Sequence, residues 1–192
     1  MDRTMLEESF PDTLARARSG DEHAFAMIYR DVQPGLLRYS RANAPGHGED
    51  ITADVWLEVT RALRRFDGDE QGFRAWVFTI ARRKIIDHVR RDARRPTILL
   101  EDPEELRLQE ARDVADDYEV EEATRQALTL VRTLPPDQAE VILLRVVAGL
   151  DNTEVAGLLG KTPGAVRVLS HRGLRRLATI LTEPMVAGGV DR

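Results

Sequence analysis

The stretch that decides the fold is residues 153–174, TEVAGLLGKTPGAVRVLSHRGL. An aspartate followed three residues later by Glu154 is a capping-box arrangement, which predicts the start of a short helix. Gly160 permits a tight turn, and Thr162-Pro163 supplies an N-cap and a first-turn proline for a second helix. These signals together predict two helices joined by a short turn, the helix-turn-helix arrangement.

The second helix of this pair is predicted to carry a basic outer face. Val166 and Leu169 are expected to point inward, and the small Ala156 lets the first helix approach closely. Arginine pairs well with guanine O6 and N7 in the major groove, and it also neutralises phosphates. We therefore expect duplex DNA to be contacted by Thr162, Gly164, Arg167, Val168, His171, Arg172 and Arg175.

Helical periodicity extends over most of the chain. Apolar residues recur at three-to-four spacing within 25–37, 51–63 and 73–89, and again from residue 120 towards the C-terminus. Pro34 is expected to bend or divide the first of these helices. No alternating strand pattern stands out, and aromatic residues make up only 5% of the chain. The prediction is an all-α fold, in which residues 1–20 form at most a lead-in helix.

Charge is sorted along the chain. The net charge is −5, but residues 82–95 hold seven Lys/Arg against two Asp, and residues 161–176 hold five Lys/Arg and no acid. Residues 101–122 hold eleven Asp/Glu against two Arg. We interpret residues 96–120 as a flexible acidic linker, although a plain spacer would have the same composition. Two basic helical stretches on one chain predict contacts with DNA at two separated places.

Several functional classes are disfavoured. The chain has no cysteine, which excludes disulfides and thiolate metal sites and fits a reducing cytoplasm. Its four histidines show no ligand-like spacing, and no run of 18 apolar residues could span a membrane. No catalytic constellation, phosphate loop or serine elbow is present. We expect no enzymatic activity, cofactor, metal, small-molecule substrate or membrane insertion, and no secretion signal in the acidic N-terminus.

Aromatic and cationic residues surround a polar loop at 66–72. Phe66, Phe73 and Trp76 flank the loop, and Arg82, Arg83 and Lys84 follow it. Stacking surfaces beside a cationic track suit a melted nucleic-acid strand. Trp76 also lies on the apolar stripe, so the pattern favours a core position for its ring.

Three ordered segments resemble the extracytoplasmic-function (ECF) sigma factors of bacterial RNA polymerase. Residues 50–66, DITADVWLEVTRALRRF, resemble region 2.2 of that family. Residues 72–91, GFRAWVFTIARRKIIDHVRR, resemble regions 2.3 and 2.4, and the segment from Leu134 through Leu177 resembles region 4. The likeness covers roughly residues 21–182, almost the whole chain.

The resemblance implies two small helical domains, region 2 at 21–95 and region 4 at 121–182, joined by the linker and followed by a flexible tail at 183–192. Such a bacterial cytoplasmic protein binds core RNA polymerase and directs it to promoters. Region 4 would read the −35 element. The acidic linker would thread towards the active-centre cleft and the RNA exit channel, where its charge imitates nucleic acid. An anti-sigma partner is also expected.

The resemblance also assigns roles within region 2. The helix from Asp50 would dock on the clamp coiled coil of the largest polymerase subunit, through Asp50, Asp54, Val55, Leu57, Glu58 and Arg61. Recognition and melting of the −10 element, with capture of a flipped base, would fall to Phe66, Asp67, Gly72, Phe73, Trp76, Arg82, Arg83, Lys84, Arg90 and Arg91. Arg83 stands where several family members carry an asparagine, which leaves the captured base open.

Two other classes remain as alternatives. A stand-alone transcriptional regulator of the response-regulator type would share the C-terminal helix-turn-helix, but it predicts a receiver or ligand domain in front. A helical adaptor that uses its basic faces to bind an acidic protein would not affect transcription.

Overall fold

The computed structural model describes residues 4–93 and 118–182, with side chains described for 10–93 and 122–182. Helices dominate both ranges, and neither range contains a strand. The tail at 183–192 and nearly all of the predicted linker lie outside the described residues. The predicted all-α fold is confirmed.

In the first domain, the described residues 4–93 form four α-helices. They are α1 (Thr4–Arg18), α2 (Glu22–Asn43), α3 (Gly48–Ala62) and α4 (Glu70–Asp92), with a short 3-10 turn at Leu63–Arg65 after α3. The apolar stripes predicted from the sequence form its core, since side chains such as Ile28, Leu36, Val59 and Val77 are almost completely buried.

Two features of this domain differ from the sequence-based expectation. Helix α1 is an integral part of the core, because its Phe10 and Leu14 side chains are each 3% exposed and Phe10 packs on Phe73. Helix α2 continues through Pro34 without division. Proline removes one backbone donor, and burial of Val32 and Leu36 on either side holds the helix together.

In the second domain, the described residues 118–182 also form four α-helices. They are α5 (Tyr118–Arg132), α6 (Pro136–Ile142), α7 (Asn152–Leu159) and α8 (Pro163–Thr182). A π-helical turn at Leu143–Val147 extends α6, and Gly149 follows it with a φ of 72°. The predicted capping box is present, because Asp151 accepts from the Glu154 amide and Glu154 accepts from the Asp151 amide. Gly160, which was expected to permit the tight turn, ends α7 in a left-handed conformation with a φ of 63°.

The two domains pack directly against each other. Helix α2 meets α5 and the π-helical turn, and α4 meets α7. The buried residues of both halves accordingly form one continuous core. No helix in the described ranges is long and apolar enough to cross a membrane.

Candidate nucleic-acid interface

The helix-turn-helix presents α8 on a close-packed support. Val166 is completely buried, and Leu169 packs against the core beside it. Gly173 lies against α6 so tightly that a Cβ atom would come 3.1 Å from Ile142 Cγ1. Thr162 Oγ1 accepts a hydrogen bond from the Ala165 amide at 3.2 Å, which caps the start of α8. The orientation of α8 is therefore set by its buried side.

The opposite side of α8 faces outward. All seven residues predicted to contact duplex DNA are exposed: Thr162, Gly164, Arg167, Val168, His171, Arg172 and Arg175. Among the described residues, none of the three arginines in this set pairs with an acidic side chain. The exposed Val168, with 47% of its surface accessible, adds an apolar contact within the basic face. The arginines of this face can therefore bind a DNA groove, because no acidic side chain among the described residues pairs with them.

The three aromatic residues that flank the loop form one cluster with unequal exposure. Phe66 and Trp76 are half-buried and stack with ring centroids 5.0 Å apart. Phe73 lies beneath them at 5.3 and 5.6 Å, and only 1% of its surface is exposed. The expectation that Phe73 contacts a base is therefore corrected: its ring supports the other two from the core.

The arginine and lysine side chains of α4 differ in how available they are to contact nucleic acid. Arg83 forms a hydrogen-bonded ion pair with Glu58 of α3, and Lys84 Nζ lies 3.3 Å from the other Glu58 oxygen. The Arg83 hydrogen bond and the neighbouring Lys84 hold the pKa of the Glu58 carboxyl below its usual value. Arg90 and Arg91 are exposed, and Arg91 Nε donates to the Asp87 carbonyl at 3.2 Å. The last turns of α4 hence carry its accessible positive charge.

The loop before α4 is organised by a residue that the sequence interpretation missed. Asp69 is the N-cap of α4, and its Oδ1 accepts from the Gly72 amide at 2.7 Å. The predicted Gly72 thus lies in the first turn of the helix rather than in the loop. Asp67 is fully exposed, 3.9 Å from Arg18. An aspartate just before an apolar helical stripe was the available signal for the cap.

The six predicted polymerase-binding residues all lie on α3, but one of them faces the core. Asp50, Asp54, Leu57 and Arg61 share its outer side, and Leu57 is 53% exposed. Glu58 is half-buried next to this outer α3 stripe. Val55 has no exposed surface, so its predicted contact with polymerase is corrected: it belongs to the opposite, core-facing side of the helix.

Polar contacts join the two domains at α2 and α6. The Tyr39 hydroxyl donates to Glu140 Oε1 at 2.7 Å, and Arg82 Nε lies 3.3 Å from the same oxygen. Burial, and then the Glu140 charge, raise the pKa of Tyr39 well above its ordinary value of 10.0. Arg82, predicted to contact the −10 element, is therefore held at the domain contact in this conformation.

A second cross-domain contact joins the start of α4 to α7. With its amide nitrogen facing Glu154, the Gln71 side chain donates to Glu154 Oε2 at 3.0 Å. Burial raises the pKa of Glu154, and the nearby charges of Asp151 and Asp69 raise it further. No local sequence signal indicates either cross-domain contact, because the partners are separated by the linker.

Two families match this chain. The family described as Sigma-70 region 2 matches residues 28–95, and the family described as Sigma-70, region 4 matches residues 124–177. An ECF RNA polymerase sigma factor of Mycobacterium tuberculosis, SigD, is 32% identical over 180 residues, which cover 91% of this chain and 84% of SigD. BldN of Streptomyces coelicolor, another ECF RNA polymerase sigma factor, is 31% identical over 90% of this chain, which spans 66% of BldN's length.

Two solved structures share the fold. CnrH in complex with the cytosolic domain of CnrY has a TM-score of 0.61 at 23% identity, over 88% of this chain and 94% of that one. RpoE in complex with the anti-sigma factor NepR, from Bartonella quintana, has a TM-score of 0.58 at 19% identity, over 88% of this chain and 98% of RpoE. A stand-alone regulator is not favoured, because the first domain matches Sigma-70 region 2.

Proposed function

The chain belongs to the ECF family of RNA polymerase sigma factors, and we propose how its two domains divide the work of a sigma factor. The protein binds core RNA polymerase and directs promoter-specific initiation of transcription. We assign residues 21–95 to polymerase binding and the −10 element, and residues 121–182 to the −35 element. In this role it acts without catalytic chemistry of its own, in the bacterial cytoplasm where the polymerase works.

The observation that carries the −35 assignment is the basic face of α8 on a buried helix-turn-helix support, with arginines that pair with no acidic side chain among the described residues. Arg167, His171 and Arg172 reach base edges, and Val168 contacts a thymine methyl group. Thr162 and Gly164 place the amide end of α8 against a phosphate, and Arg175 neutralises another. Base contacts specify the sequence, and phosphate contacts hold the register.

The −10 assignment rests on the exposed cations and the paired rings of the first domain. Phe66 and Trp76 offer the only half-buried aromatic surface beside the described 66–69 loop. A flipped base stacks there, while Arg90 and Arg91 track the strand. Arg83 and Lys84 join this track when Glu58 releases them, and Arg82 joins it when the domains part.

Polymerase binding falls to the outer α3 stripe. Asp50, Asp54 and Arg61 supply charge around Leu57, whose large apolar side chain is 53% exposed. An exposed leucine rimmed by charged residues is a typical feature of a protein-binding surface. An anti-sigma partner that covers this stripe would prevent polymerase binding, and such a partner fits a chain whose structural neighbours were solved as complexes with CnrY and NepR.

The function is tested by run-off transcription with purified bacterial core polymerase on a promoter library, with and without the protein. We expect discrete new start sites, with two shared upstream elements. The double variant Arg167→Ala/Arg172→Ala should lose or relax the −35 element, and Leu57→Asp should lose polymerase binding. Thr179→Ala, on α8 beyond the DNA-contacting face, serves as a matched control. Sequence-specific duplex binding by the isolated protein, with no new transcripts, would overturn the proposal.

A further inference from the structure

Two histidines distant in sequence lie side by side in the first domain. His47 precedes α3 and His88 lies near the end of α4, and their ring centroids are 4.3 Å apart. Asp92, one helical turn beyond His88, places its Oδ2 3.1 Å from His88 Nε2. One candidate ligand atom from each residue lies within 4.8 Å of the others. The linear spacing of the histidines gave no sign of this group.

The backbone holds the three residues in place for reasons unrelated to their side chains. His47 is the N-cap position of α3, but its side chain makes no capping hydrogen bond. Its neighbours are the constrained residues of the turn: Gly46 has a φ of 77°, and a Cβ on Gly48 would come 2.6 Å from Arg41 Cγ. The turn therefore requires the two glycines, and the His47 imidazole does not cap the helix that follows it.

The group matches the donor preferences of a divalent transition metal. Two imidazoles and one carboxylate form the donor set of several three-ligand zinc sites, which leave one position open. His88 and Asp92 are four residues apart on one helix, so they face the same side. Tetrahedral zinc with ligands at about 2.0–2.1 Å needs ligand atoms roughly 3.4 Å apart. Small rotations of the exposed His47 and Asp92 side chains would close the remaining distance.

We propose that His47, His88 and Asp92 bind a divalent transition metal, with zinc as its best probe. The metal would connect the turn between α2 and α3 to the last turn of α4. It would thereby join the beginning of α3 to the end of α4, since His88 lies 41 residues after His47 in the sequence. A ligand that binds only the folded chain raises its stability, so metal binding should stabilise the first domain. This proposal is independent of the assignment of promoter contacts.

The test uses the full, untagged chain after treatment with EDTA and removal of the chelator. Titration calorimetry with zinc chloride should give saturable binding at one site per chain. His47→Ala should weaken it about tenfold or more, because the substitution removes one of the three ligands. Asp92→Asn should weaken it as well. His23→Ala and His171→Ala, which remove histidines elsewhere in the chain, are matched controls that should bind like the wild type.

A second readout separates metal binding from a folding defect. Circular dichroism should show the same helical content for His47→Ala as for the wild type. Zinc should raise the thermal midpoint of the wild type and of His23→Ala, but not that of His47→Ala. Cobalt in place of zinc should give a visible absorption band that requires His47 and His88. Absence of saturable binding, or equal binding by the wild type and His47→Ala, would overturn the proposal.

Discussion

The Tyr39 hydroxyl donates a 2.7 Å hydrogen bond to Glu140 Oε1, across a sequence separation of 101 residues. This bond joins α2 of the first domain to α6 of the second, and Arg82 Nε lies 3.3 Å from the same oxygen. Elements at −10 and −35 are about 25 base pairs apart, or roughly 85 Å of duplex at 3.4 Å per step. We therefore expect the domains to part before both elements are bound.

The ionisation of Tyr39 should report on the contact between the domains. Its pKa is raised by burial and by Glu140, so the neutral phenol stabilises the closed arrangement fully below the ordinary value of 10.0. That contribution is lost as pH rises through the folded-state pKa. An ultraviolet titration should show one tyrosine ionising well after the others. Glu140→Ala should bring it closer to 10.0, and Tyr39→Phe should remove it altogether; identical titrations for wild type and Glu140→Ala would contradict this account.

Substitution of Gly35 should open the closed arrangement. A Cβ at this position would come 2.8 Å from the Val147 carbonyl oxygen of the π-helical turn, a backbone atom that cannot rotate away. Gly35→Ala should therefore increase the radius of gyration measured by small-angle X-ray scattering. It should still direct transcription, because no predicted promoter or polymerase contact is changed.

Gly157→Ala is the matched control for this experiment. Gly157 lies inside α7, and no atom lies within 4 Å of an added Cβ. Alanine is the better helix former by about 0.5–1 kcal/mol, so this variant should be slightly more stable and equally compact. An equal expansion of both variants would show that the Gly35 contact does not hold the domains together.

Glu58→Gln should strengthen binding to single-stranded DNA. Arg83 and Lys84 hold the pKa of Glu58 below its usual value of 4.5. The ion pairs therefore persist fully above pH 4.5 and are lost only as the pH falls through the lowered pKa of Glu58. At neutral pH the substitution frees two cations. Each added phosphate contact should steepen the salt dependence of binding by about 0.7 in the log–log slope. Glu49→Gln, which breaks the Arg41 pair instead, should leave the slope unchanged.

Arg167 and Arg175 should differ in what they contribute to promoter choice. Arg167→Ala should relax the preference at one base position of the −35 element, at a cost of about 1–3 kcal/mol in discrimination. Arg175→Ala should weaken binding to all −35 sequences alike and lower the log–log salt dependence of binding by about 1. Selection from a randomised −35 library by the holoenzyme measures both. A uniform effect from each variant would assign both arginines to phosphates.

Substitutions of Phe66 and Phe73 should differ in their effects on protein stability and on promoter melting. Phe73→Ala removes a ring that is 1% exposed, which should cost about 3–5 kcal/mol in the free energy of unfolding. Phe66→Ala removes a half-buried ring and should cost less. At temperatures where both variants are folded, only Phe66→Ala should slow strand opening, as followed by permanganate footprinting. Slower opening with Phe73→Ala alone would reverse the two roles.

Much of the local structure was predictable because its signals lie within a few residues of one another. The Asp151–Glu154 capping box, the turn at Gly160 and the proline at the start of α8 act through bonds along the chain, and each is found where it was expected. The basic outer face of α8 was predictable for the same reason. Helical periodicity alone places Val166 inside and Arg167 outside.

The sequence by itself determined the helices, their caps and the two basic surfaces, since these depend on backbone preference and the spacing of apolar residues. Periodicity placed Phe73 and Val55 on apolar stripes, whereas the family resemblance implied binding contacts for them. The tertiary structure decided for burial, because neighbouring helices cover both side chains. Only the tertiary structure paired Glu58 with Arg83, Tyr39 with Glu140 and His47 with His88. These contacts join segments 25 to 101 residues apart, and their distances are set by the packing of whole helices.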